Sequence, residues 1–133
     1  MNSEPEYKPD EGPSQGLKFD KMVDGSHKYT DVLTDGYVGP GNAHHHYLIR
    51  EKGRKDFVGI RFQDGPIKES GVNGVMDENL ITIVIDRLRG FQSGDYKCRE
   101  NAIALTKLEE SLMWLKERTR GREVRGVEGT HKV

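Results

Sequence analysis

The sequence carries a single cysteine, Cys98, among 133 residues. It can form no internal disulfide, which favours a reducing compartment. Apolar residues make up 33% and aromatic residues 8%, a lean supply for a self-sufficient core. A chain this lean is expected to finish its burial by associating with other subunits. Charge of one sign is also missing: 21 Lys and Arg face 22 Asp and Glu, for a formal net charge of -1. No global field draws the protein onto nucleic acid or a membrane, so any anionic partner must be met by local charge. No apolar run approaches the roughly 20 residues needed to span a bilayer. Residues 1–16 are polar, contain Pro5, Pro9 and Pro13, and do not read as a secretory signal. The expectation is a soluble, cytoplasmic protein.

Enzyme motifs are equally scarce. There is no P-loop, and Gly36, Gly39 and Gly41 neither match the dinucleotide fingerprint nor open a helix. No nucleophile motif surrounds the Ser, His or Cys residues. Glu109 and Glu110 are adjacent on a helical segment, so they diverge by about 100° and form no working acid–base pair. Three consecutive histidines, His44 to His46, invite a metal reading. Successive strand residues face opposite ways, so at most two could share one ion. A pH-sensitive edge or a stacking surface is favoured instead. The expectation is therefore no catalysis, no cofactor and no metal.

The residues that are present imply an α+β fold in three regions. Residues 1–28 hold charges, three prolines and few core-forming side chains, and are expected to be an unstructured extension. Leu17, Phe19, Met22 and Val23 could dock locally. Residues 29–71 are expected to form a small antiparallel sheet. After an extended segment and a glycine-rich loop, His45, Tyr47 and Ile49 alternate with His46, Leu48 and Arg50. A turn around Gly53 leads to a return strand over 57–63. There Val58, Ile60 and Phe62 should face the core, and Arg61 should project from the other face. Asp64 to Gly74 reads as a linker.

In residues 72–133 the apolar period changes from two to 3.6. Asp77 and Glu78 suit a helix N-terminus, and Leu80, Ile81, Val84, Ile85 and Leu88 follow at helical spacing. After a short connection, where Ser93 or Asp95 could cap the next helix, Asn101, Leu105, Leu108, Leu112 and Leu115 repeat by four, three, four and three. This second helix should run about 20 residues, or roughly 30 Å. Two helices joined so closely form an antiparallel hairpin. Trp114 lies off the seam and needs another partner. The tail from Gly121 is too polar for a core helix.

Local charge is concentrated at one place. Lys116, Arg118, Arg120, Arg122 and Arg125 crowd the end of the second helix, interrupted by Glu117 and Glu123. Guanidinium forks suit phosphate, but cations at a helix C-terminus also answer the helix dipole. Phe91 and Tyr96 lie near Arg99 and Asn101, an arrangement suited either to a nucleobase or to plain hairpin packing. In the tail, Glu128 to His131 offers a hydroxyl and glycine N–H groups, or a frayed end.

The run CRENAIALTKLEESLMWLKERT, followed by RGVEGTH, resembles the helical-hairpin domain shared by phage anti-Thoeris and anti-CBASS sponge proteins. The resemblance covers roughly Val72 to Val133. The hairpin region before it, with the phrase GNAHHHYLIR, is similar to the larger anti-Thoeris branch. The resemblance implies a non-catalytic protein of the infected bacterial cytoplasm. Such proteins hold cyclic ADP-ribose isomers, and some hold cyclic dinucleotides or trinucleotides, without cleaving them. It further implies dimers assembled into hexamers, with pockets between subunits. Carried onto this sequence, Phe91 would stack on adenine, Asn101 would read its edge and Arg118 would bind phosphate, with Arg61 and Arg99 as additions. A second pocket for cyclic oligonucleotides would use Arg122, Arg125, Gly129 and Thr130. The alternatives are a nucleic-acid-binding protein and a purely structural phage oligomer.

Overall fold

The structure is a computed structural model and describes residues 16–133 apart from Ser26. The expectation for residues 1–15 lies outside the described residues. The chain divides between Gly65 and Pro66 into two compact units.

The first unit is a four-stranded antiparallel meander in the order β1-β2-β3-β4. Its strands are β1 (Lys21–Met22), β2 (Thr30–Thr34), β3 (His46–Glu51) and β4 (Asp56–Arg61). β1 lies within the stretch expected to be unstructured: Lys21 pairs with Thr34 and Met22 with Leu33. Two residues at the sheet edge suffice for a ladder, and a strand this short leaves no periodic signature. The β3–β4 turn falls where expected, with Gly53 at φ 68°, a conformation that glycine adopts without steric cost.

Register decides which residues share a face of the sheet. Leu33 of β2 lies opposite Leu48 of β3, and Leu48 lies opposite Gly59 of β4. Leu33 and Leu48 are the buried apolar residues of this unit. Val58 and Ile60 occupy the other face with Tyr47 and Ile49 and are only half-buried. That face also carries Thr34, opposite Tyr47 and 2% exposed, so the sheet buries side chains on both faces, and Arg61 lies exposed on the side opposite Val58 and Ile60. Phe62 packs edge-on against Tyr47, with ring centroids 5.6 Å apart.

The second unit contains α1 (Ile67–Ser70), α2 (Asp77–Gln92) and α3 (Arg99–Val124). It begins earlier than the expected boundary at residue 72. Pro66 sits just before α1, where its fixed φ suits helix entry, so the supposed linker contains a helical turn. Asn79 Oδ1 accepts the backbone N–H of Met76 at 2.8 Å and closes the start of α2. The start of α3 is held by Cys98, whose Sγ accepts the N–H of Asn101 at 3.4 Å. Neither Ser93 nor Asp95 takes that position. Cys98 N–H is in turn accepted by Gln92 Oε1 at 3.0 Å.

The second long helix has 26 residues, about 39 Å at 1.5 Å per residue, and so exceeds the expected length. Arg89 and Glu109 meet at 3.4 Å across the antiparallel hairpin. Leu105, Leu108, Leu112 and Leu115 are half-buried, and no residue of α3 is fully buried. Ile85 is the buried residue of α2. Ile103, Met113 and Trp114 remain 41%, 55% and 62% exposed. No helix among the described residues is long and apolar enough to cross a membrane.

Leu48→Ala should cost about 2–4 kcal/mol, the range for emptying a buried leucine site. Urea unfolding followed by circular dichroism measures it. A loss under about 0.5 kcal/mol would show that Leu48 is not part of a packed core.

Candidate functional site

The cation cluster at the end of α3 separates once its partners are traced. Arg120 is tied to its neighbour: its Nε donates to Glu117 Oε2 at 3.0 Å. This hydrogen bond lowers the carboxyl pKa of Glu117 from its ordinary value and raises that of Arg120, with the opposite charges adding to both shifts. Arg122 faces inward. Its Nη2 donates to the carbonyls of Val127, Thr130 and Lys132 at 3.1, 3.0 and 2.9 Å. Arg125 Nη1 donates to the carbonyl of Val133 at 3.0 Å. Lys116 and Arg118 have no hydrogen-bond or ion-pair partner among the described residues, and both are exposed. Arg118 is thus a guanidinium with all its donors open to an incoming anion, whereas Arg125 has one nitrogen engaged.

The tail after Val124 is ordered by these contacts. Gly126 and Gly129 have φ of 73° and 76°, which turns the chain back. Gly129 accepts Lys68 N–H at 2.8 Å, and a Cβ there would lie 2.9 Å from the Lys68 side chain. His131 Nδ1 meets Glu69 Oε1 at 2.6 Å. The Thr130 hydroxyl donates to Val127 carbonyl at 2.6 Å and accepts Lys132 N–H at 3.3 Å. The structure therefore brings Arg122, Gly129 and Thr130 together. Arg122 acts there as a clamp on backbone carbonyls, which spacing along one helix cannot reveal.

Phe91, Arg99 and Asn101 sit around the α2–α3 connection. The Arg87 guanidinium lies over the Phe91 ring, 5.0 Å from its centroid. Arg87 was not singled out from the sequence; its position four residues before Phe91 on one helix was the available signal. Asn101 is half-buried, and its carboxamide has no hydrogen-bond partner among the described residues. Arg99 is exposed at the first position of α3. Arg118 follows Asn101 by 17 residues, a rise of about 26 Å along one helix. Within a single subunit these two side chains cannot close on one small ligand. Arg61 is exposed at the end of β4, opposite His46, in the sheet unit.

The histidine run forms a stacking surface. Tyr37 stacks on His46 with centroids 5.6 Å apart and tilts against His45 at 6.1 Å. His46 Nδ1 meets Asp35 Oδ2 at 2.8 Å, and His45 Nε2 lies 3.6 Å from Asp64 Oδ1. The Tyr37 hydroxyl donates to Asp64 Oδ2 at 3.0 Å. That hydrogen bond, aided by desolvation and the charges of Asp64 and Asp35, raises its pKa above the ordinary 10.0. A Cβ at Gly39 would collide with the His45 ring. Among the described residues, no group of three His, Cys, Asp or Glu side chains is arranged to hold a metal ion. Glu109 serves the helix pair through Arg89.

Arg122→Ala should release the tail. Amide hydrogen exchange of residues 127–132 should accelerate by about tenfold or more, since hydrogen bonds from a charged donor to three carbonyls are lost. Unchanged exchange there would mean that the turns alone order the tail.

Comparison with known proteins gives two findings. The family model described as the Acb2/Tad1 hairpin domain matches residues 54–120, which is half of the chain. Thoeris anti-defense 1 of Bacillus phage SBSphiJ7 is 60% identical over 82 residues, covering 59% of this chain and 58% of that relative. The chain thus spans less than two thirds of the relative's length. The matched segment contains Phe91, Arg99, Asn101 and Arg118 on a short-linked pair of helices. By these matches, the chain belongs to the Acb2/Tad1 hairpin-domain family.

Proposed function

We propose that this protein is a phage anti-defence protein that binds cyclic nucleotide immune signals and withholds them intact. The observation that carries the reading is the distribution of arginines: Arg118 is exposed and unpartnered, while Arg120, Arg122 and Arg125 are engaged. An unpaired guanidinium is suited to a phosphate. The name of the phage relative, Thoeris anti-defense 1, supports assigning that phosphate to an immune signal. Cyclic ADP-ribose isomers are the proposed ligands of this site, with no catalytic step.

The site is completed by a second subunit. Asn101 and Arg118 are separated by about 26 Å on one helix, so a pocket using both takes them from different copies. Ile103 and Trp114 lie with Arg118 on the side of α3 turned away from the leucine seam, and both are exposed. In that pocket adenine would stack on Phe91, Asn101 would read its edge, and Arg118 would hold the pyrophosphate, with Arg99 as a further donor. Because a sequestering protein must outlast an effector, slow release matters more than fast capture. The same association would proceed to dimers and hexamers in the host cytoplasm.

A second pocket for cyclic dinucleotides or trinucleotides is proposed at the tail, with Arg125, Gly129 and Thr130 facing the ligand and Arg122 holding the carbonyls of Val127, Thr130 and Lys132. The ordering of residues 126–132 by Arg122 and α1 supports this, since a preorganised loop loses less entropy on binding.

Mass spectrometry tests storage directly: the protein is incubated with a mixture of cyclic signals, washed and denatured. An intact cyclic ADP-ribose isomer should be recovered; breakdown products, or no nucleotide at all, would overturn the reading. Arg118→Ala should weaken that capture by about 2 kcal/mol or more, the scale of a lost charge-assisted contact. Unchanged calorimetric affinity would remove Arg118 from the site. Thr130→Ala should weaken cyclic oligonucleotide capture by about tenfold while sparing the ADP-ribose pocket. Equal loss of both ligands would point to a shared site.

A further inference from the structure

The backbone on either side of Phe91 is held by its own hydrogen bonds. Ser93 Oγ donates to the Gly90 carbonyl at 2.7 Å, and Ser93 N–H donates to the carbonyls of Arg89 and Gly90 at 3.1 and 3.2 Å. Across the connection, Gln92 Oε1 accepts the N–H of Cys98 at 3.0 Å, and Cys98 Sγ accepts that of Asn101 at 3.4 Å. These bonds tie the end of α2 to the start of α3. They leave the side-chain torsions of Phe91 free, and rotation of a phenyl ring about χ2 is soft.

Arg87 removes part of that freedom. Its guanidinium lies over the Phe91 ring, 5.0 Å from the centroid, within the range of a cation held on an aromatic face. Long helical side chains lean toward the preceding turn, which carries the Phe91 ring back toward Arg87. Nothing on α2 draws the guanidinium elsewhere. The residues three and four positions from Arg87 are Ile83, Val84, Gly90 and Phe91, so no carboxylate stands at ion-pair spacing. Arg87 is exposed and has no hydrogen bond or ion pair among the described residues. No other cation or ring among the described residues packs on Phe91.

A phenyl ring offers two faces for stacking. With a guanidinium on one, a single face remains. The same charge opposes collapse of Lys97 or Arg99, at the start of α3, onto that remaining face, because like charges repel. The ring is thus a one-sided surface before any ligand arrives, and preorganisation lowers the entropy lost on binding.

We infer that Arg87 is a positioning residue for the nucleobase. It holds the Phe91 ring and covers one face, so that adenine stacks on the other in the order guanidinium, phenyl, adenine. The inference rests on the reading above in which Phe91 stacks on adenine. Arg87 acts through the ring and makes no contact with the ligand.

The test is calorimetric titration of each cyclic ADP-ribose isomer, singly, into the parent protein, Arg87→Ala, Arg87→Lys, Phe91→Leu and the double variant Arg87→Ala with Phe91→Leu. Arg87→Ala should weaken binding by about fivefold, the scale of an exposed cation–π contact, with an unchanged melting temperature. Arg87→Lys keeps a cation over the ring and should stay within about twofold of the parent. In the Phe91→Leu protein, Arg87→Ala should have no further effect, because the ring it acts through is gone. The inference is overturned if Arg87→Ala binds as the parent does, if Arg87→Lys loses as much as Arg87→Ala, or if the loss is equally large in the Phe91→Leu protein, which would place Arg87 on the ligand itself. A parent protein that binds no isomer overturns the proposed function and this inference together, whereas parent binding that Arg87→Ala leaves untouched overturns this inference alone.

Discussion

Two helices can bury only the strips along which they touch, and that limit shapes everything in the hairpin unit. The leucine seam of α3 faces α2 and reaches only half-burial, and Ile85 is the buried side chain of α2. Ile103, Met113 and Trp114 are left facing away. Ridge-into-groove packing of one helix on one neighbour has no means of covering the far side of either cylinder. Apolar surface of this kind is suited to a further helix, and the proposed pairing of α3 helices would supply it. Under that reading, stability and binding share one cause, because the contact that completes the core also brings the two halves of the pocket together.

The arginines show how the same residue type acquires different work through depth and neighbours. Arg118 and Arg122 are one helical turn apart and lie on adjoining parts of one helix face. Arg122 sits where the chain doubles back through Gly126 and Gly129, so the carbonyls of the tail come within reach of its guanidinium. Arg118 lies a turn earlier, short of that returning chain, and keeps its donors available. Arg120 points elsewhere and is held by Glu117. A cluster that looks uniform along the chain therefore contains a clamp, a surface ion pair and an unpaired donor.

In the sheet unit, register has a comparable role. Pairing Leu33 with Leu48 places the buried pair on one face, and the same pairing sets Asp31 beside Arg50. The end of the sheet where β2 connects to β3 carries Tyr37 against His45 and His46, each imidazole near a carboxylate. The glycine-rich loop is thereby fastened to the strand that follows it.

Much of this protein is legible from local pattern. The period of two over 45–50 and 57–63 marks the hairpin strands, the period of 3.6 after Asp77 marks the helices, and Gly53 marks the turn. The family was legible too, since the run from Cys98 to Thr119 is long and specific. These features depend on neighbours a few residues away, so the order of residues is enough to determine them. Tertiary structure decided the rest: that Leu33 and Leu48 are the apolar side chains the sheet unit buries fully, that β1 joins the sheet, that Ile67–Ser70 forms a helical turn receiving Gly129 and His131, and that Arg122 is occupied while Arg118 is not. Those outcomes turn on which donor finds which acceptor across long stretches of chain. No periodicity encodes such a competition, because it is settled only when distant segments meet.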